Sequence, residues 1–341
     1  MLRWISILGA LALSVFLGGV FYFSQREKNV WHEFSGRMDG RGMPAVFDGF
    51  VERWNRAVER ELRRELAEGE RKEKLLVVSR GEGDGRRLAE QARSVERIRK
   101  RLLLKDHIRL LPLEDVPDGL EWQTGMEEPD VGDPRAVKGG KVRLWINTPF
   151  PGTLRAFGPG SENFFNYSAI DNVWLPLVGL HPETFRPIPG LADRWALSAD
   201  GKTVFYHLDP EAAYSDGRIV KAQDFLLNIC LRTSGFARDP FWTTLFRSMY
   251  DQITVYGDSV IALTLPSRGP LLPYMACADF HPAHPGFYHD FNALFLERYQ
   301  WKAPPNTGGY MVVPAKIRIG ESITLARVKN WWAKDRKYYR H

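Results

Sequence analysis

The spacing of hydrophobic positions changes several times along this chain, and each change marks a predicted element. Ile5 to Ser24 carries no charged residue. About 20 apolar residues at ~1.5 Å rise would cross the ~30 Å hydrocarbon core of a bilayer. The run ends in the bulky Val20-Phe21-Tyr22-Phe23, unlike a cleavage site, and no cysteine follows it for lipid attachment. It predicts an uncleaved membrane anchor. From Pro44 to Glu68, Phe47, Phe50, Trp54, Val58 and Leu62 recur at three- and four-residue spacing among Arg and Glu. That is the stripe of an amphipathic helix, with Pro44 suited to its first turn and Gly69 to its C-terminal cap. Leu75 to Val78 predicts a short strand and Gly81 to Gly85 a loop. Arg86 to Leu104 predicts a second helix with a Leu88, Ala92, Val95, Leu102 seam, and Ile108 to Leu113 a further strand. Together these make a small helical α/β extension.

Glu114 to Gly140 is acidic, carries Pro117, Pro129 and Pro134, and predicts a linker. After Gly139-Gly140, the alternation of Lys141 to Ile146 predicts a strand. Leu191 to Phe225 is the stretch with the most structure written into it. Asp200-Gly201 is a turn signal, and Thr203 to Leu208 is a β-branched and aromatic strand. Ser215-Asp216-Gly217 is a second turn. From Ala222 the period becomes helical, with Phe225, Leu226 and Ile229 on one side. Ile253 to Tyr256 and Val260 to Leu265 predict a hairpin around Gly257-Asp258.

Composition refines this picture in two places. The 341 residues are 44% hydrophobic and 26% charged, which is globular material long enough for two domains. The formal charge of +6 is concentrated: 22 Lys/Arg face 16 Asp/Glu between Arg26 and Arg109, and the remainder balances. Acids interleave with those bases at helical spacing, so a solvated, ion-paired helix face is expected and no nucleic-acid partner. The two cysteines, Cys230 and Cys277, make no disulfide framework. Cys230 lies on the apolar side of a predicted helix, which leaves a buried thiol and a bridge equally open.

Candidate chemistry is sparse. His281, His284 and His289, with Asp279 and Asp290 nearby, fit no zinc spacing, and Pro282 and Pro285 predict an irregular loop. The glycines at 81, 83 and 85 lack the Gly-Lys-Ser/Thr ending of a phosphate-binding loop. No Ser/His/Asp, Cys/His or paired-carboxylate spacing is present. The expectation is a protein without metal or cofactor and not an enzyme.

The ordered set Leu191-Ala192-Asp193-Arg194-Trp195, Asp200-Gly201, Tyr214-Ser215-Asp216-Gly217 and Lys221-Ala222-Gln223-Asp224-Phe225 resembles the bacterial extracellular solute-binding proteins of family 5, the peptide-binding components of ABC importers. The resemblance continues at Asn306-Thr307-Gly308-Gly309-Tyr310, Glu321 to Arg327 and Trp331-Trp332-Ala333-Lys334-Asp335. One departure is Lys221, where the family has a Ser or Thr that would cap the helix.

The resemblance implies an α+β fold, the first lobe of a two-lobed periplasmic binding protein of type II-like fold. An anchor at 1–25, an extension at 26–113 and a linker at 114–138 would precede a lobe at 139–341, and the family's second lobe would be missing. It implies cleft residues at Gly158, Pro159, Gly160 and Ser161, where backbone would lie against ligand, and at Phe164, Phe241, Trp242 and His281. The implied partners are a peptide or peptide-like solute and ABC permease subunits. The implied location is the inner membrane, with the bulk of the chain periplasmic. The alternative is a membrane-anchored interaction or scaffold protein that carries a remnant lobe.

Overall fold

The computed structural model describes residues 42–79, 84–146, 148–170, 173–269 and 271–340. Ile5 to Ser24 lies outside them. Among the described residues no helix is long and apolar enough to cross a membrane.

Two long helices open the described chain, α1 (Phe50–Ser79) and α2 (Asp84–Leu103). The expected end of α1 at Gly69 and strand at Leu75 to Val78 are both corrected, because α1 runs through them. Gly69 does not cap. A Cβ there would stand 3.0 Å from Val95, so its missing side chain lets α2 approach, and the Gln91 side-chain amide donates through Nε2 to the Gly69 carbonyl at 3.1 Å. Extending an existing helix costs far less than starting one, so a turn containing two valines is carried along.

β1 (Ile108–Leu111) follows and pairs in parallel with β6 (Gln252–Tyr256). The sheet is completed by β4 (Ala192–Leu197), β5 (Thr203–Leu208) and β7 (Val260–Thr264), all antiparallel neighbours, in the order β1-β6-β7-β5-β4. A short hairpin, β2 (Val178–Leu180) with β3 (Pro187–Pro189), precedes it. Helices α3 (Ala222–Arg232) and α4 (Pro240–Met249) lie between β5 and β6. Two single-turn helices, α5 (Leu272–Met275) and α6 (Phe295–Arg298), lead to the hairpin of β8 (Tyr310–Arg318) and β9 (Ser322–Arg327). The architecture is mixed α/β.

The strand at Thr203 to Leu208, the helix before Arg232 and the hairpin around Gly257-Asp258 all form as the sequence pattern predicts. The strand expected at Lys141 to Ile146 does not. Those residues form no ladder, and Trp145 is 91% exposed. Alternation yields a strand only where a neighbouring backbone is free to bond it.

Helices α1 and α2 are built into the core of the five-stranded sheet. Phe50, Trp54, Val58 and Leu62 of α1 bury their stripe in the cluster that holds Val204, Tyr206, Phe225, Phe246 and Ile253. Arg101 of α2 donates to the carbonyls of Arg247 (2.6 Å) and Tyr250 (3.1 Å) and pairs with Asp251 at 3.1 Å.

Part of the expected linker is likewise docked. Val116, Leu120 and Trp122, with Leu111 of β1, pack on Ala196, Phe205, Tyr256 and Ala262, covering the sheet face opposite the main core. Gln123 exchanges backbone hydrogen bonds with Trp195 at 2.8 and 2.9 Å. Proline content marked this segment as irregular, and it is irregular, but its apolar side chains have a sheet face to bury.

Candidate functional site

The motif pieces that are far apart in sequence meet in space. Thr307 is fully buried, and its carbonyl accepts from the indoles of Trp331 (2.9 Å) and Trp332 (3.1 Å). Its hydroxyl accepts from the Leu175 amide at 3.1 Å. The carbonyl of Asn306 accepts from the Ser215 amide at 2.6 Å. Gly308 is needed because a Cβ there would overlap the carbonyl of Val173. Asn306 to Tyr310 therefore clasps the Tyr214 to Gly217 turn to the Trp331-Trp332 corner.

The turn is tied in a second direction. His284 is fully buried, and its Nδ1 accepts from the Phe287 amide at 2.9 Å. Because Nδ1 accepts, the ring proton sits on Nε2, which stands 2.9 Å from Asp216 Oδ2. Asp216 is half-buried, and its carboxyl is held below its ordinary pKa. Burial opposes ionisation, and the His284 contact outweighs it. Behind it, Asp224 accepts from the Lys221 amide at 3.1 Å and from the Tyr214 hydroxyl at 3.2 Å. Burial pushes Asp224 up to about 6. Where a hydroxyl at position 221 was expected to cap α3, the Asp224 carboxylate supports the Lys221 amide, and the Lys221 ammonium reaches Asp258 at 2.6 Å.

Cleft residues inferred from the sequence fall into two groups. Gly158 to Ser161 is a tight loop. Gly158 has φ of +90°, and a Cβ would stand 2.9 Å from the Ala237 carbonyl. Its own carbonyl accepts from Ser161 N (3.0 Å), Pro159 O from Arg155 (2.5 Å), Gly160 O from Asn163 (3.0 Å) and Ser161 O from Asn166 (3.0 Å). Each carbonyl of this loop thus has a donor from within the chain.

The second group is organised by Arg232, at the end of α3. Its guanidinium lies 3.9 Å from the centre of the Trp242 ring and 5.8 Å from that of Phe157, the residue before Gly158. Phe241 meets Trp242 edge-on at 5.5 Å. His281 is pushed down to about 4, first by burial and then by the Arg232 charge, and its ring is 6.5 Å from that of Trp174. Asp279 is raised by burial, with Arg232 opposing. The fold therefore gathers Trp242, Phe241, His281 and the Gly158 side of the loop around one cation. Phe164 is exposed at the start of the turn over 164–170 and does not enter these ring contacts.

Sequence reasoning missed Arg232, because a base in a last helical turn is ordinary dipole chemistry. Only its stacking on an indole ten residues away distinguishes it. The His281, His284, His289 set is dispersed onto separate partners, and among the described residues no group of His, Cys, Asp and Glu could hold a metal ion.

Residues 186–341 match the model of the bacterial extracellular solute-binding proteins, family 5, middle region. Over this segment the chain is similar to that family. A Brucella melitensis protein and a Brucella abortus protein, each named only as a binding protein, are 24% identical over 209 residues, or 60% of this chain. The chain spans about a third of their length, 33%. Among solved structures, the chain is similar to Haemophilus influenzae OppA in complex with RPPGFSPFR (17% identity, 54% of this chain and 37% of that one, TM-score 0.43). It is also similar to the Escherichia coli murein tripeptide binding protein MppA (17% identity, 54% and 37%, TM-score 0.42).

Proposed function

We propose that this chain contributes a binding wall for peptides or peptide-like solutes in an extracytoplasmic component of an ABC importer, without catalysis. What carries the reading is the gathering of Trp242, His281 and the Gly158 loop around Arg232 within a chain similar to this family. A guanidinium stacked on an indole supplies cationic charge, and the surrounding rings supply apolar area. In this reading the ligand does not depend on the loop carbonyls of Gly158 to Ser161 as free acceptors, since each already has a donor. Loop amides, the Trp242 and Phe241 rings and Phe164 at the rim do the contacting. Ile5 to Ser24 holds the chain at the inner membrane, the bulk lies in the periplasm, and permease subunits are the partners.

Calorimetry of the full chain in detergent, titrated with mixed short peptides, tests the wall. Saturable heat is expected, reduced at least tenfold by Trp242→Ala. Saturable heat from sugars or free metal chelates but not from peptides would overturn the substrate class. Peptide binding untouched by Trp242→Ala would overturn the site.

A further inference from the structure

Beyond the last contacts between α1 and the lobe, the α1–α2 hairpin carries an apolar tip that the binding reading does not use. Glu61 and Leu62 are the α1 residues that still reach the lobe, through Arg247 and the main core. From there the two helices pack on each other, with Gly69 against Val95 and Glu70 paired to Arg99 at 2.8 Å. At the far end, Leu75, Val77 and Val78 are 60%, 48% and 83% exposed. Leu75 and Val78 are three apart and share a face.

A collar of exposed bases surrounds them: Arg71, Lys72 and Lys74 on α1, and Arg86 and Arg87 at the start of α2. The antiparallel register set at Gly69 against Gln91 and Val95 places Arg86 and Arg87 beside the exposed apolar residues, and Arg71 to Lys74 one turn behind. Over the described residues 71–79 and 84–93 there are six Lys/Arg against three Asp/Glu. Glu68 and Glu90 pair with Lys72 (2.7 Å) and Arg86 (3.9 Å). Arg71, Lys74 and Arg87 are in no such pair among the described ion pairs.

We propose that this tip is a membrane-contact element that rests in the headgroup region of an anionic bilayer. Exposed apolar side chains toward the end of a hairpin, ringed by long cationic side chains that can snorkel, match the layers of such a surface, acyl boundary for the first and phosphate for the second. A second copy of the chain fits less well, because tip-to-tip contact would press two basic collars together.

The test uses the full chain. Cys230 and Cys277 are buried, so an environment-sensitive fluorophore can be placed selectively at Val78→Cys. A control label at Glu65→Cys sits on an exposed site of the same helix, about 20 Å from the tip. Each protein is mixed with phosphatidylcholine vesicles, with or without phosphatidylglycerol, that carry a quencher in the acyl region.

At least twofold stronger quenching is expected for the Val78 label on anionic than on neutral vesicles, falling away in about 0.5 M salt. The Glu65 label should show no such difference. Adding Arg71→Glu, Lys74→Glu and Arg87→Glu to the Val78-labelled chain, with unchanged circular dichroism, should abolish the difference. Equal quenching on both vesicles, equal quenching of both labels, or survival of the effect in the charge-reversed chain would each overturn the proposal. Tip burial that rises with protein concentration in the absence of lipid would assign the surface to a second copy and overturn it as well.

Discussion

Asn55 closes the outer edge of β1 by bonding both backbone groups of Ile108. Its Oδ1 accepts from the Ile108 amide at 2.8 Å, and its Nδ2 donates to the Ile108 carbonyl at 2.8 Å. A side-chain amide on α1 thus stands where a further strand would sit, and it protects an edge that would otherwise invite pairing. Asn55→Ala is expected to cost about 2 kcal/mol, because it strips partners from two backbone groups beside a buried residue. Urea unfolding, compared with the exposed control Arg63→Ala, checks it. A loss within a few tenths of a kcal/mol would mean water replaces the amide freely.

His107 should make the protein acid-sensitive. The Trp54 indole donates to its Nδ1 at 2.9 Å, and its Nε2 donates to the Tyr250 carbonyl at 2.9 Å, which fixes the neutral ring. Burial, aided by the nearby Arg101 and Arg247 charges, pushes it down to about 4 from 6.5. The unfolded chain binds a proton in that window and the folded one does not. This contribution is therefore complete above about pH 6.5 and is lost as pH falls toward 4. His281 acts with the same sign. Asp224, raised from 3.8 to about 6, acts with the opposite sign, favouring the fold as pH falls across that interval. Unfolding free energies between pH 4 and 7 should show a shallower slope in His107→Gln and a steeper acid loss in Asp224→Asn. Parallel profiles in all three proteins would refute both assignments.

Gly308→Ala should destabilise by about 3 kcal/mol. The added carbon would fall 1.5 Å from the Val173 carbonyl oxygen, a backbone atom that cannot swing aside. The neighbouring Gly309 meets only the Trp331 ring, at 3.3 Å, so Gly309→Ala should cost markedly less. Thermal unfolding of the pair orders them. Equal midpoints would show that the Asn306 to Tyr310 clasp yields as a unit.

Both thiols should be silent in the native protein. Cys230 and Cys277 are free and buried, and burial pushes them up to about 12 and about 11. The thiolate is the reactive form, so a maleimide at neutral pH should modify neither thiol until denaturant is added, and then both. Rapid labelling of Cys230 alone would show that α3 opens locally, away from the Val46 carbonyl that its Sγ contacts at 3.4 Å.

Local pattern determined the elements whose stabilising neighbours are close in sequence. Thr203 to Leu208 and Val260 to Thr264 form strands because a short turn pairs β6 with β7, and β7 lies directly beside β5. The stripe from Phe50 to Leu62 forms a helix because its period leaves one apolar face to bury. Family motifs read from residues alone also survive, because they encode turns and a clasp whose chemistry needs those residue types.

What the sequence could not decide was which surface each stripe meets. Gly69 looks the same whether it ends a helix or admits a neighbouring one, and only Val95 on α2 distinguishes the two. The acidic, proline-rich stretch around Val116 to Trp122 reads as linker until Phe205 and Ala262 present a sheet face to cover. Lys141 to Ile146 alternates like a strand yet finds no ladder partner among the described residues. Arg232 gains its place only when α4 brings Trp242 beneath it. Spacing along a chain fixes which side chains share a face, but the free energy of burying that face belongs to the pair of surfaces that meet, and the second surface is set by the fold.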